Sequence, residues 1–108
     1  MSFEVRTIPS FEKDFKKLFK KYPSLKLDLL KLINQLEVDP YMGTSIGKDF
    51  FKVRISISSK GKGKSGGARI ITCVKIIKQV IFLSAIYDKS EKSNITDSEL
   101  KLLANQIG

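Results

Sequence analysis

Lys52 and Arg54 stand two apart in a run of alternating character, and Arg69 follows after a glycine-rich loop. Tyr87 and Lys89 stand two apart at the end of another apolar run. Residues two apart on a strand share a face, so each pair can present its side chains together. Around them lie Lys48, Lys60, Lys62, Lys64 and Lys75. From Lys48 to Lys78 the chain carries nine basic residues and one acidic residue, Asp49, a formal +8 of its total +9. Charge concentrated in this way calls for a polyanionic partner. The chain has no histidine and one cysteine, Cys73. That removes the commonest general acid/base and the commonest metal ligand. No metal or cofactor is expected, no intrachain disulfide is possible, and any catalysis falls to Lys, Arg, Tyr or carboxylates. Cys73 lies inside an Ile/Val-rich run and reads as a small buried hydrophobe.

The loop Lys60-Gly61-Lys62-Gly63-Lys64-Ser65-Gly66-Gly67-Ala68-Arg69 holds two nucleotide-like phrases. Residues 61–66 fit G-x-G-x-x-G, and Gly63-Lys64-Ser65 resembles the end of a phosphate-binding loop. Both need a helix opening behind the glycines. Here the glycines lead into the strand-like Arg69–Ile77, and a true phosphate-binding loop would need glycine where Ser58 stands. The better reading is a flexible cationic hairpin loop that settles on a phosphate backbone. Lys60, Lys62 and Lys64, with Lys48 and Lys75, are then the candidate contacts to that backbone. Tyr87 is either a core-edge tyrosine or a side chain that stacks on a base or moves a proton. Lys89 sits where the chain leaves the sheet, a common place for functional side chains.

The elements that must hold these residues are legible in part. Phe3–Ile8 reads as a strand ended by Pro9. Ser10 is a candidate cap for a helix carrying Phe11, Phe15, Leu18 and Phe19, which Tyr22-Pro23 breaks. Ser24 is a candidate cap for a second helix with Leu25, Leu29, Ile33 and Leu36 along one stripe, stopped by Asp39-Pro40. Residues 41–48 read as loop. Phe51, Val53, Ile55 and Ile57 alternate with Lys52, Arg54, Ser56 and Ser58, the pattern of a half-buried strand. Arg69–Ile77 and Gln79–Ile86 read as two central strands. Thr96 and Glu99 form a capping box for a last helix, with Ile95 and Leu100 as a hydrophobic staple and Leu100, Leu103 and Ile107 buried. The predicted order is β-α-α-β-β-β-α. The class is α+β, one domain over residues 1–108, with a mainly antiparallel sheet packed against a helical hairpin and a C-terminal helix. The longest apolar runs are too short to span a bilayer, and the N-terminus lacks a signal-peptide pattern, so a cytoplasmic protein is expected.

This order, together with Lys52-Val53-Arg54-Ile55, Gly61-Lys62-Gly63-Lys64-Ser65-Gly66-Gly67-Ala68-Arg69 and Ile86-Tyr87-Asp88-Lys89-Ser90-Glu91, resembles the RelE/ParE toxin superfamily of bacterial type II toxin–antitoxin systems, and within it the HigB-like branch. The resemblance implies a small metal-independent endoribonuclease that enters the ribosomal A site and cuts mRNA. It places the active site on Lys52, Arg54, Arg69 and Lys89, with Tyr87 as a further candidate. Arg54 and Arg69 would stabilise phosphorane charge, Lys52 would be the base, and Lys89 the acid or a clamp. It also implies the ribosome and mRNA as partners, no membrane, and a neighbouring antitoxin, usually with a helix-turn-helix domain and an acidic contacting segment. A gyrase-inhibiting toxin of the ParE type shares the fold, and a non-catalytic basic RNA-binding module is the third reading.

Overall fold

The computed structural model describes residues 3–61, 63 and 66–107. The chain runs β1 (Glu4–Thr7), α1 (Pro9–Lys21), α2 (Leu25–Val38), β2 (Thr44–Gly47), β3 (Phe50–Ile55), a single 3-10 turn (Ser58–Lys60), β4 (Ala68–Lys75), β5 (Val80–Asp88) and α3 (Asp97–Ile107). The strands form one sheet in the order β1-β5-β4-β3-β2. β1 runs parallel to β5, and every other pairing is antiparallel. The α+β class and mainly antiparallel sheet agree with the sequence. Among the described residues no helix is long and apolar enough to cross a membrane.

The sheet is covered unequally on its two faces. Val53, Ile70 and Ile86 lie directly opposite one another on β3, β4 and β5, and all are buried. This face meets the α1–α2 hairpin. α1 starts at Pro9, whose fixed φ suits the first turn, and buries Phe11 and Leu18, with Phe15 stacked between Phe11 and Phe19. Ser10 does not cap it. Its hydroxyl donates instead to the Ser84 carbonyl at 3.1 Å, tying the helix to β5. α2 buries Leu25, Leu32 and Leu36 together with Asp28, while Leu29 and Ile33 of the expected stripe are only half-buried. Ser24 stands at the cap position, but its side chain makes no capping bond. The opposite face of the sheet carries Phe50, Cys73 and Phe82 in one row. Near that end α3 lies across it, with Ile107 and Ala104 beside Cys73 and Phe50. The capping box forms as read: the Thr96 amide donates to Glu99 at 2.9 Å and the Glu99 amide to Thr96 Oγ1 at 3.2 Å.

Two features escaped the sequence. Residues 41–48 are not all loop, because β2 pairs with β3 through the two-residue turn Lys48-Asp49. Both turn residues have positive φ, 51° and 68°, the geometry of a primed hairpin turn. Such turns favour Asn-Gly, so Lys-Asp gives no signal. The second feature is a bulge in β5. Ile71 pairs with Ala85 but Thr72 pairs with Leu83, which leaves Ser84 unpaired. The extra residue brings Val80 and Phe82 onto the same face as Ala85 and Tyr87.

L-residues in the left-handed region are strained. Replacing Lys48 and Asp49 by Asn and Gly is therefore expected to raise unfolding free energy by about 0.5–1 kcal/mol. Urea titration measures this, and a loss of stability would rule out turn strain as the reason.

Candidate active site

Three strands bring the chemical residues together. Arg54 on β3 lies directly opposite Arg69 on β4, and Arg69 lies directly opposite Tyr87 on β5. The three therefore form one row on the face away from the α1–α2 hairpin. Lys52, two residues before Arg54, projects to the same face opposite Ile71. The row is graded in exposure: Arg54 is exposed, Lys52 half-buried, and Arg69 and Tyr87 are 4% and 8% exposed. The Arg69 guanidinium donates to the Ala68 carbonyl at 3.2 Å. Like charges directly opposite on neighbouring strands repel, and an anion seated above the pair relieves that repulsion. The Tyr87 hydroxyl is buried with no hydrogen-bond partner among the described residues. Burial raises its pKa, Arg69 lowers it, and Glu99 raises it further. Lys92 lies over the Tyr87 ring, 5.6 Å from its centroid, and pairs with Glu99. The approach to α3 thus roofs the Tyr87 end of the row.

Lys89 continues the ladder by one residue, its amide donating to the Gly67 carbonyl at 3.0 Å. Its ammonium is turned onto the Ser93 carbonyl at 3.1 Å. Lys60, expected to reach an RNA phosphate, is committed inside the protein. Its ammonium donates to Asp88 at 2.7 Å and to Ser90 at 3.0 Å, with a side chain only 10% exposed. Lys48 and Lys75 stand at the other end of β3 and β4, beside α3. Lys75 stands six positions from Arg69 along β4, roughly 20 Å at strand rise, so these two lysines do not join the row. Lys62 and Lys64 lie outside the described residues. Cys73 is buried, and burial pushes its thiol pKa up, as befits an inert hydrophobe.

Sequence reasoning missed the carboxylates beneath the site. Asp88 and Asp28 are both buried. Asp28 had a signal, an acidic residue on the leucine stripe of α2, three residues after Leu25. Asp88 had none, because its donors come from Tyr22, Lys60 and Ser90, which are distant or loop residues. Burial alone would raise the Asp88 pKa. Hydrogen bonds from Lys60, the Ser90 amide and hydroxyl, and Tyr22 outweigh it and hold the carboxyl well below the usual range. Lys60 is raised in turn, chiefly by its bond to Asp88. A depressed carboxyl contributes stability above its unfolded pKa of about 3.9, lost as pH falls through the folded value. A raised lysine contributes below its unfolded pKa of about 10.4, lost as pH rises through the folded value. The pair therefore stabilises the fold throughout the interval between. Removing one partner of a buried pair costs about 3–5 kcal/mol. Asp88→Asn is expected to lower stability at pH 7 and to flatten its fall below about pH 4, as read by thermal melts across pH; an unchanged acid limb would refute the linkage.

Comparison with known proteins bears on this geometry. The family model described as the RelE toxin of the RelE/RelB toxin–antitoxin system matches residues 11–107. Among solved structures, the free state of a double mutant of the E. coli toxin RelE superposes with a TM-score of 0.66. The match covers 100% of both chains at 14% sequence identity, a likeness of fold. The basic row, the sheet that carries it and the family match over nearly the whole chain agree: this protein belongs to the RelE toxin family of toxin–antitoxin systems.

Proposed function

We propose that this chain is a ribosome-dependent endoribonuclease of the HigB-like branch, which cleaves mRNA in the ribosomal A site and is held in check by a cognate antitoxin in the cytoplasm. The observation that carries the reading is the cross-strand row Arg54–Arg69–Tyr87 with Lys52 on the same face. Its chemistry suits phosphodiester cleavage by the neighbouring 2′-hydroxyl. The 2′-oxygen attacks phosphorus and gives up its proton, the P–O5′ bond breaks, and the leaving 5′-oxygen takes a proton. The products are a 2′,3′-cyclic phosphate and a 5′-hydroxyl. Arg54, open to solvent, clamps the scissile phosphate with a planar pair of donors. Arg69, fixed beneath it, adds charge in a water-poor setting where charge acts strongly. Lys52 takes the 2′-proton.

Lys89 and Tyr87 stand on the leaving-group side. Lys89 reaches it by releasing the Ser93 carbonyl, and the substrate uncovers Tyr87 by displacing the Lys92 side chain. The Tyr87 hydroxyl, with no partner among the described residues, is free to bond the substrate once uncovered. Lys62 and Lys64 in the loop, and Lys48 and Lys75 at the far end of β3 and β4, contact phosphates of the ribosome–mRNA complex. Lys60 is left out of that set because its ammonium is engaged with Asp88. The antitoxin carries an acidic segment complementary to this surface and a helix-turn-helix domain.

The decisive assay is cleavage of mRNA on programmed ribosomes, mapped by primer extension. Arg54→Ala is expected to lower the cleavage rate about 100-fold or more with little change in stability, since the side chain is exposed. Growth arrest on expression with intact mRNA would overturn the reading in favour of gyrase inhibition. RNA binding without cleavage would overturn it in favour of a binding module. Tyr87→Phe removes an unpaired group, so stability is expected to hold or rise. The same change is expected to lower cleavage about 100-fold; unchanged cleavage would return Tyr87 to the core.

A further inference from the structure

The cationic loop leaves β3 through the 3-10 turn Ser58–Lys60 and returns into β4 at Ala68. Each residue of that turn is gripped. Asp28 accepts from the Ser58 amide at 2.9 Å and from the Ser58 hydroxyl at 2.5 Å. The Ser59 amide donates to the Ser24 hydroxyl at 2.8 Å, and that hydroxyl donates to Asp28 at 2.9 Å. Lys60 is held by Asp88, and its ammonium also lies 5.5 Å from the centre of the Tyr22 ring. Asp88 has a fully buried side chain and accepts four hydrogen bonds: from Lys60 at 2.7 Å, the Tyr22 hydroxyl at 2.8 Å, the Ser90 amide at 2.9 Å and the Ser90 hydroxyl at 2.7 Å. The return side is held differently. A Cβ on Gly67 would lie 2.0 Å from the Ile55 carbonyl oxygen, so the backbone there is in direct contact with the end of β3.

Asp88 occupies a particular place. It pairs with Ala68 and Ala68 with Ile55, the row next to Arg54–Arg69–Tyr87, and it lies between Tyr87 and Lys89 in the chain. One carboxylate thus joins the α1–α2 link, the root of the loop and the strand end that bears two candidate site residues.

We propose that the Lys60–Asp88 pair is a positioning device for the reaction: it fixes the root of the cationic loop against the strand end carrying Tyr87 and Lys89, and Lys60 itself does not touch RNA. This rests on the nuclease reading. A binding loop left unanchored must be ordered when the substrate arrives, and that ordering is subtracted from affinity. With both roots held, the two ends of the loop are fixed before the substrate arrives. Releasing Lys60 removes the hold between the 3-10 turn and the strand end that carries Tyr87 and Lys89.

The test is a double-mutant cycle with Lys60→Met, Asp88→Asn and the pair together, measured on programmed ribosomes. Each single variant is expected to raise KM for the ribosome complex about tenfold, with a smaller effect on the rate at saturation. The double variant, which leaves no unpaired buried charge, is expected to regain stability but not KM. Lys60→Arg, which keeps the charge, is expected to return KM toward wild type. Three results would overturn the proposal. If Asp88→Asn leaves KM at wild type while Lys60→Met raises it, Lys60 contacts RNA directly. If the double variant recovers KM along with stability, the pair is structural only. If no variant moves KM, the root needs no anchor. A wild type that fails to cleave mRNA on ribosomes defeats the nuclease reading itself, whereas an active wild type with any of the three results defeats only the positioning role.

Discussion

The candidate site depends on the pairing of β4 on both sides in one register. β4 is buried along nearly its whole length and exchanges hydrogen bonds with β3 and β5. Side chains on a strand alternate between faces, so a slip of one residue would turn Arg69 into the α1–α2 core and bring Ile70 to the basic face. The register therefore places the arginine and buries the isoleucines at the same time. Apolar burial on the helical side, at Val53, Ile70 and Ile86, is what makes the slip costly. The bulge at Ser84 completes the arrangement, because it lets β5 offer Leu83 and Ile81 to one face and Tyr87 and Phe82 to the other.

A second constraint is the fate of charge. The segment from Lys48 to Lys78 is uniform on paper and divided in three dimensions. Lys52, Arg54 and Arg69 gather on one face. Lys48 and Lys75 are carried to the far end of the same strands. Lys60 is withdrawn from solvent by Asp88. Buried carboxylates make that division possible: Asp28 satisfies backbone and hydroxyl donors at the turn, and Asp88 neutralises Lys60, which the fold encloses. A buried ion pair is weak evidence of net stability, since desolvation offsets attraction. Its value here is geometric, because it holds together three segments that are distant in the chain.

The same logic explains the covered end of the row. Tyr87 and Arg69 are nearly inaccessible, and the Lys92–Glu99 pair lies over the tyrosine. Glu99 is held in place twice, by Lys92 and by the Thr96 cap, and both keep its carboxyl below the usual pKa range, Lys92 most strongly. The capping box that starts α3 thus also fixes the acidic group over the site.

Much of this protein was legible in its sequence. Period-two alternation marked β3, continuous Ile/Val runs marked β4 and β5, and Thr96 with Glu99 marked the start of α3. Those signals are local, and burial on one face enforces them. The concentration of basic residues around a glycine-rich loop, with no histidine, raised the expectation of a phosphate-handling site. What the sequence left open depends on which strands become neighbours. β2 had no turn signal because its hairpin uses Lys-Asp in a strained conformation. Ser10 resembled a cap but spends its hydroxyl on β5. Lys60 was indistinguishable from Lys62 and Lys64 until Asp88, 28 positions away, took its charge. The sequence by itself determined the residue types and the faces along each strand, because alternation is a property of the chain. Tertiary structure alone decided that Arg54, Arg69 and Tyr87 share one row and that Lys60 pairs with Asp88, because register and charge pairing are settled only when distant segments meet.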